Sequence, residues 1–299
     1  MKTMKYSFLF LFTTTLASAQ DVAKPANPPA DYDQVAIYKT VDGTDLPLYV
    51  YFPQDHTPEA KAAAIVFYFG GGWNGGSPSQ FEQHCKYLAN RGMVAITVEY
   101  RVRSRHNVKV ERCISDARSA LRWVRGQADQ LGIDSNRIAS GGGSAGGHLA
   151  AMVALTDEFD DPREDLKIRA TPDAMVLFNP AMLLAPHNSL PKAVNARLEE
   201  ASDRLKRRFE GPAQWAHPYA FAGKTQPPCI MFFGTADRLL DGAEAFRNVS
   251  TAADNRCEIK TWPDQGHGFF NTGREDGKYY RLTVTEMDRF LVSVGFLQP

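Results

Sequence analysis

The sequence predicts an α/β fold built on an open, mostly parallel, doubly wound sheet with helices on both faces. Three observations carry that expectation. Strand-like and helix-like stretches alternate along the 299 residues without an intervening linker. Two strand-like runs, 62–69 and 93–100, are apolar throughout, as strands buried on both faces are. A glycine-rich turn around Ser144 passes directly from a strand pattern into a helix pattern.

The elements follow in order. Residues 35–41 and 46–52 flank Asp42-Gly43-Thr44 and predict an opening antiparallel hairpin. Run 62–69 begins the parallel part, 80–91 reads as a crossover helix, and 93–100 is the next strand. Residues 113–130 place Ile114, Ala117, Leu121 and Val124 on one helical stripe. Residues 138–140 lead into the turn at Ser144, while 173–179, 229–233 and 257–262 complete the sheet. A closing helix is expected over 280–294, with Leu282, Met287, Phe290 and Leu291 as its apolar positions. The stretch 181–228 interrupts the alternation with one highly charged helix-like piece, 193–209; a lid and a packed excursion are both open readings.

Residues 1–19 read as a signal peptide. Lys2 and Lys5 precede an apolar run, 6–16, that is too short to span a bilayer, and Ala17-Ser18-Ala19 offers a cleavage site. The expectation is an exported chain, periplasmic or secreted, whose residues 20–299 form one catalytic domain with no further membrane-crossing run. Lys+Arg and Asp+Glu both number 34, so no basic field exists for nucleic acid or an anionic membrane surface, and a partner that is neutral or small is expected. Cys85, Cys113, Cys229 and Cys257 are too scattered for a zinc site, and no metal or other cofactor is expected. Cys85 and Cys113 fall on separate helices as buried thiols. Cys229 and Cys257 each open a strand and would lie side by side if those strands pair, which makes them the candidates for a disulfide in an exported chain.

The chemistry centres on Gly142-x-Ser144-x-Gly146. A sharp strand-to-helix turn strains its central residue and crowds its neighbours, so glycines two before and two after are needed, and the serine oxygen stands exposed at the sheet's end. Gly141-x-Gly143-x-x-Gly146 also fits a dinucleotide fingerprint formally. That motif belongs to a first βα unit, with an acid ending the next strand, whereas the acids here lie in a polar, proline-containing loop. A serine nucleophile needs a base and a group to orient it. His267, between Gly266 and Gly268, directly follows the last strand and is the base; His148 is too close to Ser144 along the chain to reach its oxygen easily. Asp237, just past the preceding strand, is the orienting acid, with Asp241 and Asp264 as rivals. Gly70-Gly71-Gly72 ends the third strand, and the amides of Gly71, Gly72 and Ala145 are the candidate oxyanion hole. Trp73 follows them as a candidate substrate-binding platform for a sugar.

With these residues assembled, the chain from about 35 to 297 resembles the α/β-hydrolase superfamily, and within it the esterase branch related to hormone-sensitive lipase. Gly142 to Gly147 and Gly266 to Phe269 match that branch's Gly-x-Ser-x-Gly-Gly and Gly-His-Gly-Phe. Phe69 to Gly72 stands where it carries His-Gly-Gly-Gly; Phe69 replaces a residue that supports the loop rather than one that does the chemistry. Gly-Gly-Gly-Trp with Gly-Gly-Ser-Pro after it looks most like bacterial acetylxylan and feruloyl esterases. The resemblance implies an α/β-hydrolase fold and a cofactor-free serine carboxylesterase acting on short acyl groups of an oligosaccharide or small-molecule ester. The lack of a long apolar segment to line a deep acyl tunnel points the same way. The alternatives are a serine peptidase on the same fold, which usually brings a large extra domain, and a non-catalytic binding module, which is expected to lose a triad member.

Overall fold

The computed structural model describes residues 27–188, 190–212 and 216–299; the expected signal peptide lies outside them. Each apolar run becomes a strand: β1 (Gln34–Val41), β2 (Thr44–Tyr51), β3 (Ala62–Tyr68), β4 (Val94–Val98), β5 (Ile133–Gly143), β6 (Ala174–Phe178), β7 (Cys229–Gly234) and β8 (Cys257–Trp262). They form one sheet in the order β1-β2-β4-β3-β5-β6-β7-β8. The hairpin pair and β2/β4 are antiparallel, and every other pair is parallel.

Seven helices accompany the sheet among the described residues: α1 (Glu82–Asn90), α2 (Arg103–His106), α3 (Val110–Gly126), α4 (Ala145–Leu155), α5 (Lys192–Lys206), α6 (Leu240–Ala252) and α7 (Lys278–Ser293). Side-chain alternation along β3 explains the two layers. Ala64, Val66 and Tyr68 pack with Ile114, Leu121, Leu149 and Phe246 of α3, α4 and α6, whereas Ile65 and Phe67 pack with Leu88, Met287 and Leu291 of α1 and α7. All eleven residues of α4 are buried, which its continuous small and apolar sequence permits. No described helix is long and apolar enough to cross a membrane.

Beside its expected apolar stripe, α3 carries a ladder of buried arginines. Arg118 donates to the Val153 carbonyl at 2.9 Å and to that of Thr156, and pairs with Asp160. Arg122 pairs with Asp160 and Glu164, and Arg125 with Asp173. Stretch 156–173, which forms no helix or strand, is thereby fastened to α3 together with the last carbonyls of α4. Paired and hydrogen-bonded in this way, the charges avoid the penalty of isolated burial.

Cys85 and Cys113 are buried thiols on α1 and α3, as expected. Cys229 and Cys257 are direct register partners on β7 and β8, yet both are free, so the expected disulfide is absent. Burial and the neighbouring Cys257 thiol push the Cys229 thiol well up, which disfavours the thiolate that oxidation requires.

Candidate active site

Ser144 sits between β5 and α4 with φ 53° and ψ −115°, a backbone conformation held by close contacts. A Cβ at Gly146 would lie 1.9 Å from the Tyr68 carbonyl oxygen, and one at Gly142 would lie 2.4 Å from that of Gly146. Only glycine lets β5, α4 and β3 meet so closely, which is the physical content of the motif. The Ser144 amide donates to the Phe178 carbonyl at 2.8 Å, fixing the turn to β6.

Three side chains from three strand ends meet there. The Ser144 hydroxyl donates to His267 Nε2 at 2.8 Å, and His267 Nδ1–H donates to Asp237 Oδ2 at 2.7 Å. The Asp237 carboxylate is fully buried, and its Oδ1 accepts the Leu239 amide at 3.0 Å. Neither rival bonds His267: Asp264 is exposed in the turn after β8 with φ 59°, and Asp241, in the first turn of α6, pairs with Arg197.

The glycine loop after β3 is held in a conformation closed to other residues. Gly71 has φ 125°, and a Cβ there would lie 2.3 Å from the Gly75 carbonyl oxygen. Its own carbonyl accepts the amides of Asn74 and Gly75. The Gly70 amide is taken by Gln80 Oε1 at 2.6 Å, whereas those of Gly71 and Gly72 donate to none of the described residues. Ala145 opens α4, so its amide is among those a helix leaves unpaired. Phe69 stacks on Tyr100 at 4.1 Å, and Tyr100 Oη donates back to the Phe69 carbonyl, so an aromatic clasp supports the loop at this position.

Trp73 is 6% exposed and its Nε1 donates to His148 Nδ1 at 3.3 Å, so the indole is largely buried and meets the cavity as part of its wall. Residues close to it only in space, far along the chain, bury it.

A cavity of about 720 Å³ opens over Ser144 and His267, with Gly72, Trp73 and Ala145 at its base. Its aliphatic side comes from Met182, Leu183, Leu184, Val194, Leu198 and Leu239, and its rim from Arg197, Glu200, Arg238 and Asp241. Described residues of the insertion between 181 and 205 thus wall the pocket, with Val194, Leu198 and Leu205 on the cavity side of α5. Short pieces supply the apolar surface that no single long segment provides. Among the described residues, no group of three or more His, Cys, Asp or Glu could hold a metal ion.

Two supporting residues carry no sequence signal. Asn179, fully buried with φ 38°, accepts the Gly268 amide at 3.1 Å and so holds the loop that carries His267. Gln80 joins that loop to the glycine loop, because its Nε2 donates to Asn271.

Residues 65–271 match the family described as alpha/beta hydrolase fold. The chain belongs to that family. Among α/β-hydrolase relatives, it is 26% identical to carboxylesterase NlhH of Mycobacterium tuberculosis over 88% of this chain and 86% of that protein. It is 28% identical to ethyl acetate hydrolase of Pseudomonas putida over 78% and 74%. The apo form of Thermogutta terrifontis esterase 2 superposes with a TM-score of 0.83 at 43% identity, covering 89% of this chain and 96% of that one. Within the α/β-hydrolases the chain falls in the esterase branch, and it is a carboxylic ester hydrolase.

Proposed function

We propose that the hydrogen-bonded chain Ser144–His267–Asp237 at the cavity floor is the catalytic triad of an exported serine carboxylesterase; that chain of contacts carries the reading. Ser144 Oγ attacks the ester carbonyl while His267 Nε2 takes its proton. Asp237 holds the imidazole in the tautomer that leaves Nε2 free to accept, and stabilises the imidazolium that forms. The amides of Gly71, Gly72 and Ala145 receive the oxyanion. His267 then protonates the departing alcohol, and water repeats the sequence on the acyl-enzyme.

The substrate reading is a short acyl group, acetyl foremost, on a carbohydrate alcohol. Similarity to an ethyl acetate hydrolase and to esterase structures with bound propionate or butyrate supports the short chain. The charged rim over an aliphatic wall suits a polyhydroxylated alcohol outside and an acyl group inside. Ser144→Ala is expected to fold yet lose ester hydrolysis by several orders of magnitude. Wild type is expected to prefer p-nitrophenyl acetate to octanoate and to release acetate from acetylated xylo-oligosaccharides. Labelling of another residue by a serine-directed phosphonate would unseat the nucleophile, and preference for long-chain emulsions would unseat the substrate.

A further inference from the structure

The segment that follows α5 reaches behind the glycine loop, and its contacts converge there. Arg208 Nη1 donates to the Gly72 carbonyl at 2.5 Å. Phe209, itself buried, packs edge-on against the Trp73 indole with ring centroids 6.0 Å apart. The Ala216 carbonyl accepts from His148 Nε2 at 2.6 Å, and the same imidazole receives Trp73 Nε1–H. Arg208 is pinned through its backbone as well: its carbonyl accepts the Val110 amide at the start of α3, and its amide donates to Leu205.

Gly72 is where such support matters. With φ 64° and no side chain, in a run of three glycines, it has nothing intrinsic to fix its peptide planes. The plane that carries the Gly72 amide is held on one side, through the Gly71 carbonyl, by Asn74 and Gly75. The plane on its other side ends in the carbonyl that Arg208 grips. A Cβ at Gly72 would lie 2.9 Å from Nη1, so the guanidinium is seated directly against the loop.

We propose that Arg208 is a positioning residue for the oxyanion hole: by holding the Gly72 carbonyl it aims the Gly72 amide, and it makes the pocket-wall insertion a working part of transition-state stabilisation. The inference rests on the serine-esterase reading above. One oxyanion donor is worth about 10²- to 10³-fold in rate, so a donor left in place but poorly aimed should lose roughly ten- to hundredfold.

The test compares wild type with Arg208→Met and Arg208→Lys on p-nitrophenyl acetate, together with inhibition by an aryl trifluoromethyl ketone, whose serine adduct places an oxyanion in the hole. The expected result for Arg208→Met is kcat down about ten- to hundredfold, KM within twofold, and Ki for the ketone weakened by the same factor as kcat. The pH dependence of kcat stays unmoved, and Arg208→Lys restores most of the loss. A merely structural role would lower Tm without that parallel between kcat and Ki. If the Met variant does not fold, Arg208→Gln carries the same comparison. Wild type inhibited by the ketone with Arg208→Met inhibited equally overturns the positioning role alone; wild type indifferent to the ketone overturns the serine-esterase reading beneath it.

Discussion

Lowering the pH from 8 to 5 is expected to withdraw stability from three buried imidazoles. His84, His148 and His217 are at most 3% exposed, and burial pushes their pKa values down to about 3, 4 and 4. In the unfolded chain each returns to about 6.5. The folded state therefore keeps the neutral ring while the unfolded chain takes the proton, so stability that is complete above pH 6.5 is lost as the pH falls toward the folded pKa. At pH 5 the loss is 2.303RT × (6.5 − 5), about 2 kcal/mol per residue, and it hardly depends on how far below 5 the folded pKa lies. Glu99 opposes this. Burial lifts its carboxyl to about 7 against the pull of Arg105, so the folded state takes up that proton first and gains about 2.5 kcal/mol over the same interval. The wild-type profile is a balance, and a variant isolates one contribution. His84 suits the purpose, because neither ring nitrogen has a hydrogen-bond partner among the described residues and Phe67, Phe81, Phe178, Phe270 and Tyr280 surround it. For His84→Leu, the stability difference from wild type, measured by urea unfolding at pH 8, 7, 6 and 5, should move by about 2 kcal/mol in the variant's favour across the series. A difference that stays constant refutes the account of a neutral buried His84.

Two further outcomes test the site and the core. Asp237→Asn should cripple kcat, by up to ~10⁴-fold, while Asp264→Asn and Asp241→Asn lose less than about tenfold; the reverse ranking at matched Tm moves the acid elsewhere. Unfolding the purified chain without reductant should expose four alkylatable thiols, since Cys229 and Cys257 are free; finding two would restore the bridge.

The nucleophile turn is legible in sequence because contacts under 3 Å at Gly142 and Gly146 admit no other residue. The strands are legible because burial on both faces leaves uninterrupted apolar runs, and His267 because glycines flank it at a strand's end. Helix α6 escapes the sequence pattern: few of its residues are buried, Ala243 and Phe246 among them. Asn179, Gln80 and Arg208 escape for another reason. Their partners are 89, 191 and 136 residues away, and nothing local marks a polar side chain that will meet a backbone group across the fold. The extent to which Trp73 is buried escapes likewise, since His148 lies 75 residues on. Register correctly opposes Cys229 and Cys257, but adjacency does not decide whether sulfurs oxidise.

The arginine ladder on α3 also divides the molecule by its response to heat. Dehydrating ions becomes less costly as temperature rises, so paired guanidinium groups such as Arg118, Arg122 and Arg125 keep their grip when other contacts weaken. Arg118 holds the carboxyl end of α4, the helix that the nucleophile turn opens, while Arg122 and Arg125 hold the loop beyond it. The glycine loop instead leans on a segment beyond α5, a helix whose ion pair with Asp241 is half exposed to water. Activity is therefore expected to fade on warming before the sheet unfolds, and esterase rate and far-UV circular dichroism followed through one temperature ramp would show it as two separated midpoints.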